Sequence, residues 1–345
     1  MEFPEVFFVA AELTEKEAAD HLAETVADLG IENPFVITSP HGDRLTSELT
    51  GSRAEEHPTS SADQAWASEL GSAAQAAGAD AIVAVGGGRR LDVAKLAAAR
   101  AGLVSIAVPT QLSHDGICSP VAVVPNDEGI AESLGAIAPR AVIVPLPTLL
   151  NAPVESVAAG LGDLLANPLA LRDWALAAER GLETIDERAW DLSTESFEAV
   201  QDYLDQDPAI SEKDPAFLKH LADALVLSGM SMICSGTSRP ASGGEHEISH
   251  AIDEIHGGRA LHGAQVAFAT LVSIALYGDD VAPTIERLGK LGLPAHPSDL
   301  GFTPDEMVTI ILAAPDTRPG RFTILEDANL DEAGAQGLVD RIWPS

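Results

Sequence analysis

Four of the ten histidines in this 345-residue chain fall between positions 246 and 262. His246 and His250 are spaced i, i+4 in a segment with helical periodicity, so their side chains project from the same helix face. His262 begins the next apolar helix, after His256 and a Gly257-Gly258 turn. Imidazoles on neighbouring elements, joined by a carboxylate, form a three-ligand metal site with an open position for substrate. The alternative is a solvated helix face carrying histidines as ordinary polar residues.

Asp163 is the best carboxylate partner for these histidines. It lies among apolar and glycine residues in Ala159-Gly160-Leu161-Gly162-Asp163. An acid in such a helix is costly to bury unless it has a partner. We therefore predict a metal site formed by Asp163, His246 and His262, with His256 outside it.

A glycine triplet marks a second site. The predicted strand Ala81–Val85 runs into Gly86, Gly87 and Gly88, and a predicted helix then begins with Arg89 and Arg90. Glycines let the backbone approach a ligand closely, and a helix start offers N–H groups to a diphosphate. The motif differs from G-x-G-x-x-G, and a plain strand-to-helix turn is the alternative. Phosphate binding is favoured because three glycines and two arginines occur together.

A polar loop, residues 110–120, follows the next predicted strand. The carboxyl ends of parallel strands are where open α/β sheets bind their ligands. Hydroxyls at Thr110, Ser113 and Ser119 can bond phosphate or amide groups, and Asp115 can bond a substrate hydroxyl. Taken alone, the loop is also compatible with a polar turn.

Apolar strands alternate with helices over the first 150 residues, which predicts a parallel sheet covered on both faces. After Pro153 the pattern is helical throughout. We expect an α/β, Rossmann-like N-terminal domain over 1–152 and an all-α domain over 153–345, with a ligand cleft between them. The predicted strands are Val6–Ala10, Pro34–Thr38, Ala81–Val85, Val104–Val108 and Ala141–Val144; the predicted N-terminal helices are Thr14–Leu29, Ala62–Ala77 and Arg89–Ala101. The later helices are predicted at Val154–Leu165, Leu169–Leu182, Glu195–Leu204, Pro215–Ser231, Glu245–Ile255, Ala264–Tyr277, Ile285–Leu291 and Thr303–Ala313.

The composition excludes several classes of partner. With 53 acidic and 20 basic side chains, the net charge of −33 disfavours nucleic acids and anionic membrane surfaces. A hydrophobic content of 46% indicates a folded chain rather than a disordered acidic one. The apolar run Val266–Tyr277 is too short to span a bilayer, so no membrane insertion is expected. No signal peptide is apparent, and the two distant cysteines suggest reduced thiols in the cytoplasm.

Five segments carry a family resemblance. GGGRRLDVAK, PTQLSHDGICSP, GLGDLLANPLALRDWALA, SRPASGGEHEISHAID and ALHGAQVAFAT occur in this order and span residues 86–270. Together they resemble glycerol-1-phosphate dehydrogenases, in the superfamily of iron-type alcohol dehydrogenases and dehydroquinate synthase. The resemblance implies a dehydroquinate synthase-like fold and an NAD(P)-dependent, metal-containing alcohol dehydrogenase.

The resemblance also implies roles for individual residues. Asp163, His246 and His262 would ligate one divalent metal, usually zinc, with nickel or iron in some relatives. His250 and Asp115 would be catalytic and contact substrate, beside Asp163. The residues expected to hold NAD or NADP are Gly86, Gly87, Gly88, Arg89, Arg90, Asp92, Thr110, Ser113 and Ser119. A phosphate dianion also needs cationic partners, and we expect Arg239 to supply one.

The expected reaction interconverts dihydroxyacetone phosphate and sn-glycerol 1-phosphate, or a close phosphorylated or phosphonate three-carbon analogue. The analogue stays open because the chain departs from the family pattern at Asn167-Pro168 and at Ala264. Alternatives are a polyol or aldehyde dehydrogenase without phosphate recognition, a dehydroquinate synthase-like lyase or cyclase, and a non-enzymatic metal-binding module. No acid directly follows Thr38, so both NAD and NADP are expected to be accepted. A homo-oligomer, dimer or larger, is also expected.

Overall fold

The structure, a computed structural model, describes residues 2–38, 42–54, 62–204 and 214–344. Eight strands are found in this part of the chain: β1 (Glu5–Val9), β2 (Pro34–Thr38), β3 (Ser52–Arg53), β4 (Ala81–Gly86), β5 (Val104–Pro109), β6 (Val121–Pro125), β7 (Ala131–Gly135) and β8 (Ala141–Pro145). Six of them form one parallel sheet in the order β1-β8-β5-β4-β2-β3, and β6 pairs with β7 as an antiparallel hairpin. The predicted parallel sheet is confirmed, whereas β3 and the hairpin were not predicted.

Helices cover both faces of the sheet, so its central strands are buried and mostly apolar. Every residue of β4 is buried. The N-terminal helices are α1 (Glu15–Asp28), α2 (Gln64–Ala76) and α3 (Gly88–Ala101). Thr14 and Glu17 form the capping box that starts α1, with the Thr14 N–H donating to Glu17 across 2.9 Å.

The second half of the described chain is helical. Its helices are α4 (Leu146–Leu149), α5 (Val154–Leu164), α6 (Asn167–Glu179), α7 (Glu187–Leu204), α8 (Pro215–Ser235), α9 (Gly244–His256), α10 (His262–Leu276), α11 (Ala282–Lys290), α12 (Pro304–Ala313), α13 (Ile324–Ala328) and α14 (Glu332–Ile342). Each of the eight predicted helices is present, although α7 begins eight residues earlier than predicted. Helices α4, α13 and α14 were not predicted. The domain boundary at 152/153 stays a prediction.

Small residues let α5 approach α10 closely. A Cβ built on Gly162 would lie 2.6 Å from the carbonyl oxygen of Gly263, and one on Gly263 would lie 2.0 Å from that of Ala159. These distances are too short for any side chain, so both positions require glycine. The close approach brings Asp163, on α5, next to His262, the first residue of α10.

Helix α8 is long and apolar enough to cross a membrane by length and composition alone. In the fold, 67% of its most apolar window is buried against the rest of the molecule. Helix α10, which contains the longest apolar run of the sequence, is likewise almost wholly buried, as predicted. Both are core helices, which is consistent with a soluble protein.

Candidate functional site

Asp163, His246 and His262 converge at one point between α5, α9 and α10. One ligand atom from each lies within 4.8 Å of the others. The Nε2 atoms of His246 and His262 are each 3.9 Å from Oδ1 of Asp163. The structure therefore brings the predicted trio together. His256 lies elsewhere, with its ring centroid 4.8 Å from that of Phe302.

The chemistry of the trio fits a divalent cation. Oδ1 of Asp163 is buried and has no hydrogen-bond partner among the described residues, while Oδ2 accepts a 2.9 Å bond from the Asp115 N–H. Burial, then the nearby Asp115 carboxyl, raises the pKa of Asp163. Burial lowers the pKa of both histidines, which keeps them neutral and able to ligate. A bound cation would be the partner that the buried Oδ1 of Asp163 lacks.

Glu245 holds His246 from behind. Its Oε1 lies 2.9 Å from Nδ1 of His246 and accepts a 2.6 Å bond from the Gly243 N–H. A carboxylate at Nδ1 places the imidazole proton there and leaves Nε2 free to ligate. Glu245 is fully buried. The sequence analysis did not single it out, although its position directly before a predicted ligand was a usable signal.

His250 lies one helical turn beyond His246, as predicted, and its partner is Arg318. The guanidinium of Arg318 is 2.8 Å from Nε2 of His250. Arg318 also donates to Oγ of Ser242 (2.7 Å), and Arg321 donates to Oγ of Ser238 (3.0 Å). This arginine–serine cluster, defined as Arg318, Arg321, Ser238 and Ser242, was missed in the sequence. Its only signal there was a pair of arginines in an otherwise acidic chain.

Arg239, the predicted phosphate contact, points away from this cluster. Its guanidinium donates to Oε1 of Glu183 (3.1 Å) and to the carbonyl oxygen of Phe322 (2.7 Å). It is absent from the lining of the cleft, which includes Arg318. The placement favours Arg318 over Arg239 as the cation that meets a substrate.

Asp115 faces the trio from the loop after β5. Its Oδ2 accepts a 2.8 Å bond from Ser228, which in turn receives a 3.2 Å bond from the Asn167 side chain. Burial raises the pKa of Asp115 to about 6, against the opposing effect of the Ser228 hydrogen bond. Asn167, which directly precedes the departure from the family pattern at Pro168, thus helps to orient a predicted substrate residue.

The glycine triplet lies at the start of α3, whose N-cap residue Gly87 has no side-chain capping bond. The first N–H groups of this helix are therefore available to an anion. Gly87 and Gly88 line a cleft of about 920 Å³ that also contains the trio histidines. The cleft lining includes eight of the nine predicted cofactor residues: Gly87, Gly88, Arg89, Arg90, Asp92, Thr110, Ser113 and Ser119. Gly86 lies directly beneath it, as the last residue of β4.

Two predicted cofactor residues also have structural contacts. Arg90 donates to the carbonyl oxygen of Thr38 at the end of β2. Asp92 pairs with the fully buried Lys95 (2.9 Å) and accepts a bond from the Val123 N–H (3.2 Å). Lys95 also donates to the carbonyl oxygen of Gly116 (2.7 Å). The ion pair thus anchors both the loop after β5 and the β6–β7 hairpin to α3.

His114 lies between the helix start and the trio. Its Nδ1 accepts a 3.0 Å bond from the Gly116 N–H, and its ring centroid is 5.8 Å from that of His262. It lines the cleft. Burial lowers its pKa. The sequence analysis quoted it within the polar loop but gave it no role.

Comparisons with known proteins show which proteins this chain resembles. Residues 1–153 match the family described as iron-containing alcohol dehydrogenase. Glycerol-1-phosphate dehydrogenase, NAD(P)+, from Methanothrix thermoacetophila is 35% identical, over 94% of this chain and 92% of its own. The enzyme of the same name from Methanoculleus marisnigri is 38% identical, over 78% and 73%.

Solved structures share the fold. A probable glycerol dehydrogenase from Sinorhizobium meliloti has a TM-score of 0.78 at 22% identity, over 99% of this chain and 97% of its own. Sulfoacetaldehyde reductase from Bifidobacterium kashiwanohense, solved with NAD+, has a TM-score of 0.72 at 15% identity, over 100% and 98%. These likenesses establish the architecture, which is that of the iron-containing alcohol dehydrogenases.

Proposed function

Because the chain belongs to the glycerol-1-phosphate dehydrogenase family, we propose that it interconverts dihydroxyacetone phosphate and sn-glycerol 1-phosphate. It is an NAD(P)-dependent dehydrogenase that acts on a CH–OH group. One observation carries the choice of substrate: a single cleft is lined by His246 and His262 of the trio, by the uncapped start of α3, and by Arg318.

We propose that the trio holds zinc, with nickel or iron as the other candidates. A neutral nitrogen pair with one carboxylate is a ligand set that zinc accepts. When bound, the cation supplies Lewis acidity toward a carbonyl oxygen and the nicotinamide supplies the hydride. Glu245 holds His246 in the orientation that this site needs.

His250 and Asp115 would form hydrogen bonds with the oxygen atoms of the substrate. Arginine can only donate, so the Arg318 bond makes Nε2 of His250 an acceptor and leaves the proton of the neutral ring on Nδ1. This N–H can donate a hydrogen bond to an alkoxide oxygen of the product and so stabilise its negative charge. Asp115, ionised above a pKa of about 6, would accept a hydrogen bond from a substrate hydroxyl. We propose both as the catalytic residues.

The phosphate would lie against the arginine–serine cluster. Arg318 presents a guanidinium to the cleft next to His250, and Ser242 adds a hydroxyl. A phosphate dianion is best bound by such a planar donor group. This arrangement supports a phosphorylated substrate over an unphosphorylated polyol or aldehyde.

The test is a substrate panel with NADH and NADPH: dihydroxyacetone phosphate, its phosphonate analogue, and dihydroxyacetone. We expect net cofactor oxidation at 340 nm with both cofactors and a preference of at least about tenfold for the phosphorylated ketone, since charged hydrogen bonds contribute 1.5–3 kcal/mol. Equal rates with dihydroxyacetone would refute phosphate recognition. Turnover of a substrate without net oxidation of the cofactor would favour the lyase alternative.

Metal content provides a parallel test of the trio. Asp163→Ala and His262→Ala should each lose both bound metal and turnover. His256→Ala, on the same helix as His246 but outside the trio, is the matched control and should retain both. A trio variant with normal metal content and rate would refute the assignment. We further propose that the protein is cytoplasmic. We also propose that it forms a homo-oligomer, whose size sedimentation analysis would measure.

A further inference from the structure

His114 has one ring nitrogen committed and the other directed at the cleft. The Gly116 N–H donates to Nδ1 across 3.0 Å, so in the neutral ring the proton lies on Nε2. Among the residues that the structure describes, Nε2 makes no hydrogen bond. His114 therefore offers a free N–H donor at the surface of the cleft.

The absence of a side chain at Gly88 leaves the space that Nε2 of His114 occupies. A Cβ built on Gly88 would lie 2.0 Å from Nε2 of His114, so any side chain at this position would displace the ring. Gly88 is the first residue of α3. The third glycine of the triplet is thus required by the histidine, and it brings the donor to the start of the helix.

The His114 ring also packs against a residue of the trio. The His114 and His262 rings meet edge to face with centroids 5.8 Å apart. A dinucleotide whose diphosphate lies at the start of α3 must extend toward the trio for its nicotinamide to reach the substrate. Its nicotinamide-side phosphate and ribose would therefore pass Nε2 of His114.

We propose that His114 is a cofactor-positioning residue whose Nε2–H donates a hydrogen bond to the nicotinamide-side phosphate or ribose of NAD(P). The inference rests on the cofactor site of the proposed function, but it concerns a residue for which that function gave no role. The position of the His114 ring requires glycine both at Gly88, at the start of α3, and at Gly116, in the loop, since a Cβ on Gly116 would lie 2.3 Å from the same ring.

Two substitutions separate the donor from the loop contact. His114→Asn retains an acceptor for the Gly116 N–H, because an amide oxygen can take the place of Nδ1, but it has no atom at the position of Nε2. His114→Gln places an amide N–H near Nε2 and gives up the loop contact. Dissociation constants are measured for NADH, ADP-ribose and AMP on the metal-loaded protein. ADP-ribose includes the diphosphate and second ribose, whereas AMP includes neither.

We expect His114→Asn to raise the dissociation constants of NADH and ADP-ribose by about 10-fold, because one charge-assisted hydrogen bond is lost. AMP affinity and metal content should stay within about twofold of wild type, and His114→Gln should bind NADH more tightly than His114→Asn. The proposal is overturned if His114→Asn binds NADH with wild-type affinity or if its affinity for AMP falls by the same factor. It is also overturned if His114→Gln binds NADH no more tightly than His114→Asn. These binding constants do not depend on which substrate is reduced, so a failure of the proposed reaction can be told apart from a failure of the proposal for His114.

Discussion

Arg318 lies 2.8 Å from Nε2 of His250 and donates a hydrogen bond to it. The two residues are 68 positions apart in the chain, on segments that meet only in the folded molecule. This contact fixes the tautomer of His250 and places a cation next to the group proposed to donate a hydrogen bond to the alkoxide oxygen. In the proposed function, the contact thereby joins recognition of the substrate phosphate to the proposed catalytic residue.

Replacing Arg318 should impair the enzyme selectively toward phosphorylated substrate. For Arg318→Ala we expect kcat/KM for dihydroxyacetone phosphate to fall by about 100-fold or more, because a buried charge pair with phosphate is lost along with support for His250. Dihydroxyacetone should lose much less. Arg318→Lys should recover part of the loss through its charge, without the planar fork.

Arg44→Ala is the control for Arg318. Arg44 is a surface residue, with 79% of its side chain exposed, and it pairs with Glu15. Steady-state kinetics with both ketones should match wild type in this variant. Equal losses on the two ketones in Arg318→Ala would show that Arg318 only supports the fold.

Glu245→Gln should weaken metal binding. The amide oxygen can still accept a hydrogen bond from Nδ1–H of His246, but it lacks the negative charge that makes the imidazole a stronger ligand, and mutation of such contacts typically costs 10–100-fold in metal affinity. Competition with a chromogenic chelator measures this directly. Glu254→Gln, an exposed acid on the same helix, should leave the affinity unchanged. Unaltered affinity in Glu245→Gln would contradict the positioning role.

Gly263→Ala should destabilise the fold and disturb the trio. Its Cβ would lie 2.0 Å from the Ala159 carbonyl oxygen and 2.7 Å from that of Ser113, so α5 and α10 must separate. Overpacking of this kind costs about 1–3 kcal/mol or more. Gly337→Ala, in α14 with no atom within 4 Å of the added Cβ, should instead stabilise by about 0.5–1 kcal/mol. Urea unfolding of both variants, with metal content, distinguishes the two effects.

The two cysteines should differ in reactivity. Cys118 is buried, which raises the pKa of its thiol and blocks access. Burial and the adjacent Asp186 carboxylate also raise the pKa of Cys234, whose Sγ is 3.7 Å from Asp186. A raised pKa means less thiolate at a given pH. In the native protein, Cys234 should therefore react with a disulfide reagent before Cys118 does. Its reaction rate should continue to increase at pH values above the ordinary pKa of a thiol.

Asp186→Asn provides the check on Cys234. Asparagine can still accept the 2.9 Å bond from the Ala189 N–H at the start of α7, but it removes the charge. The pH–rate profile should shift downward and the reaction at pH 8 should accelerate. An unchanged profile, or equal reactivity of Cys118, would contradict the assigned cause.

Much of the fold could be predicted because its signals are local. The apolar strands β1, β2, β4, β5 and β8 alternate with amphipathic helices, which determines a parallel sheet without reference to distant residues. The hairpin was missed because β7, Ala-Glu-Ser-Leu-Gly, is half-exposed and lacks a strand pattern of its own. It is a strand only because β6 pairs with it.

The sequence by itself determined which three residues form the trio, the position of the glycine loop and the family, since helical spacing, apolar flanks and ordered motifs are properties of contiguous segments. Only the tertiary structure decided which arginine meets the cleft. Arg239 and Arg318 are equally basic in the sequence, but packing directs the first to Glu183 and the second to His250. The same holds for His114, since its free nitrogen and the glycine that accommodates it are defined by the contact between a loop and a helix start.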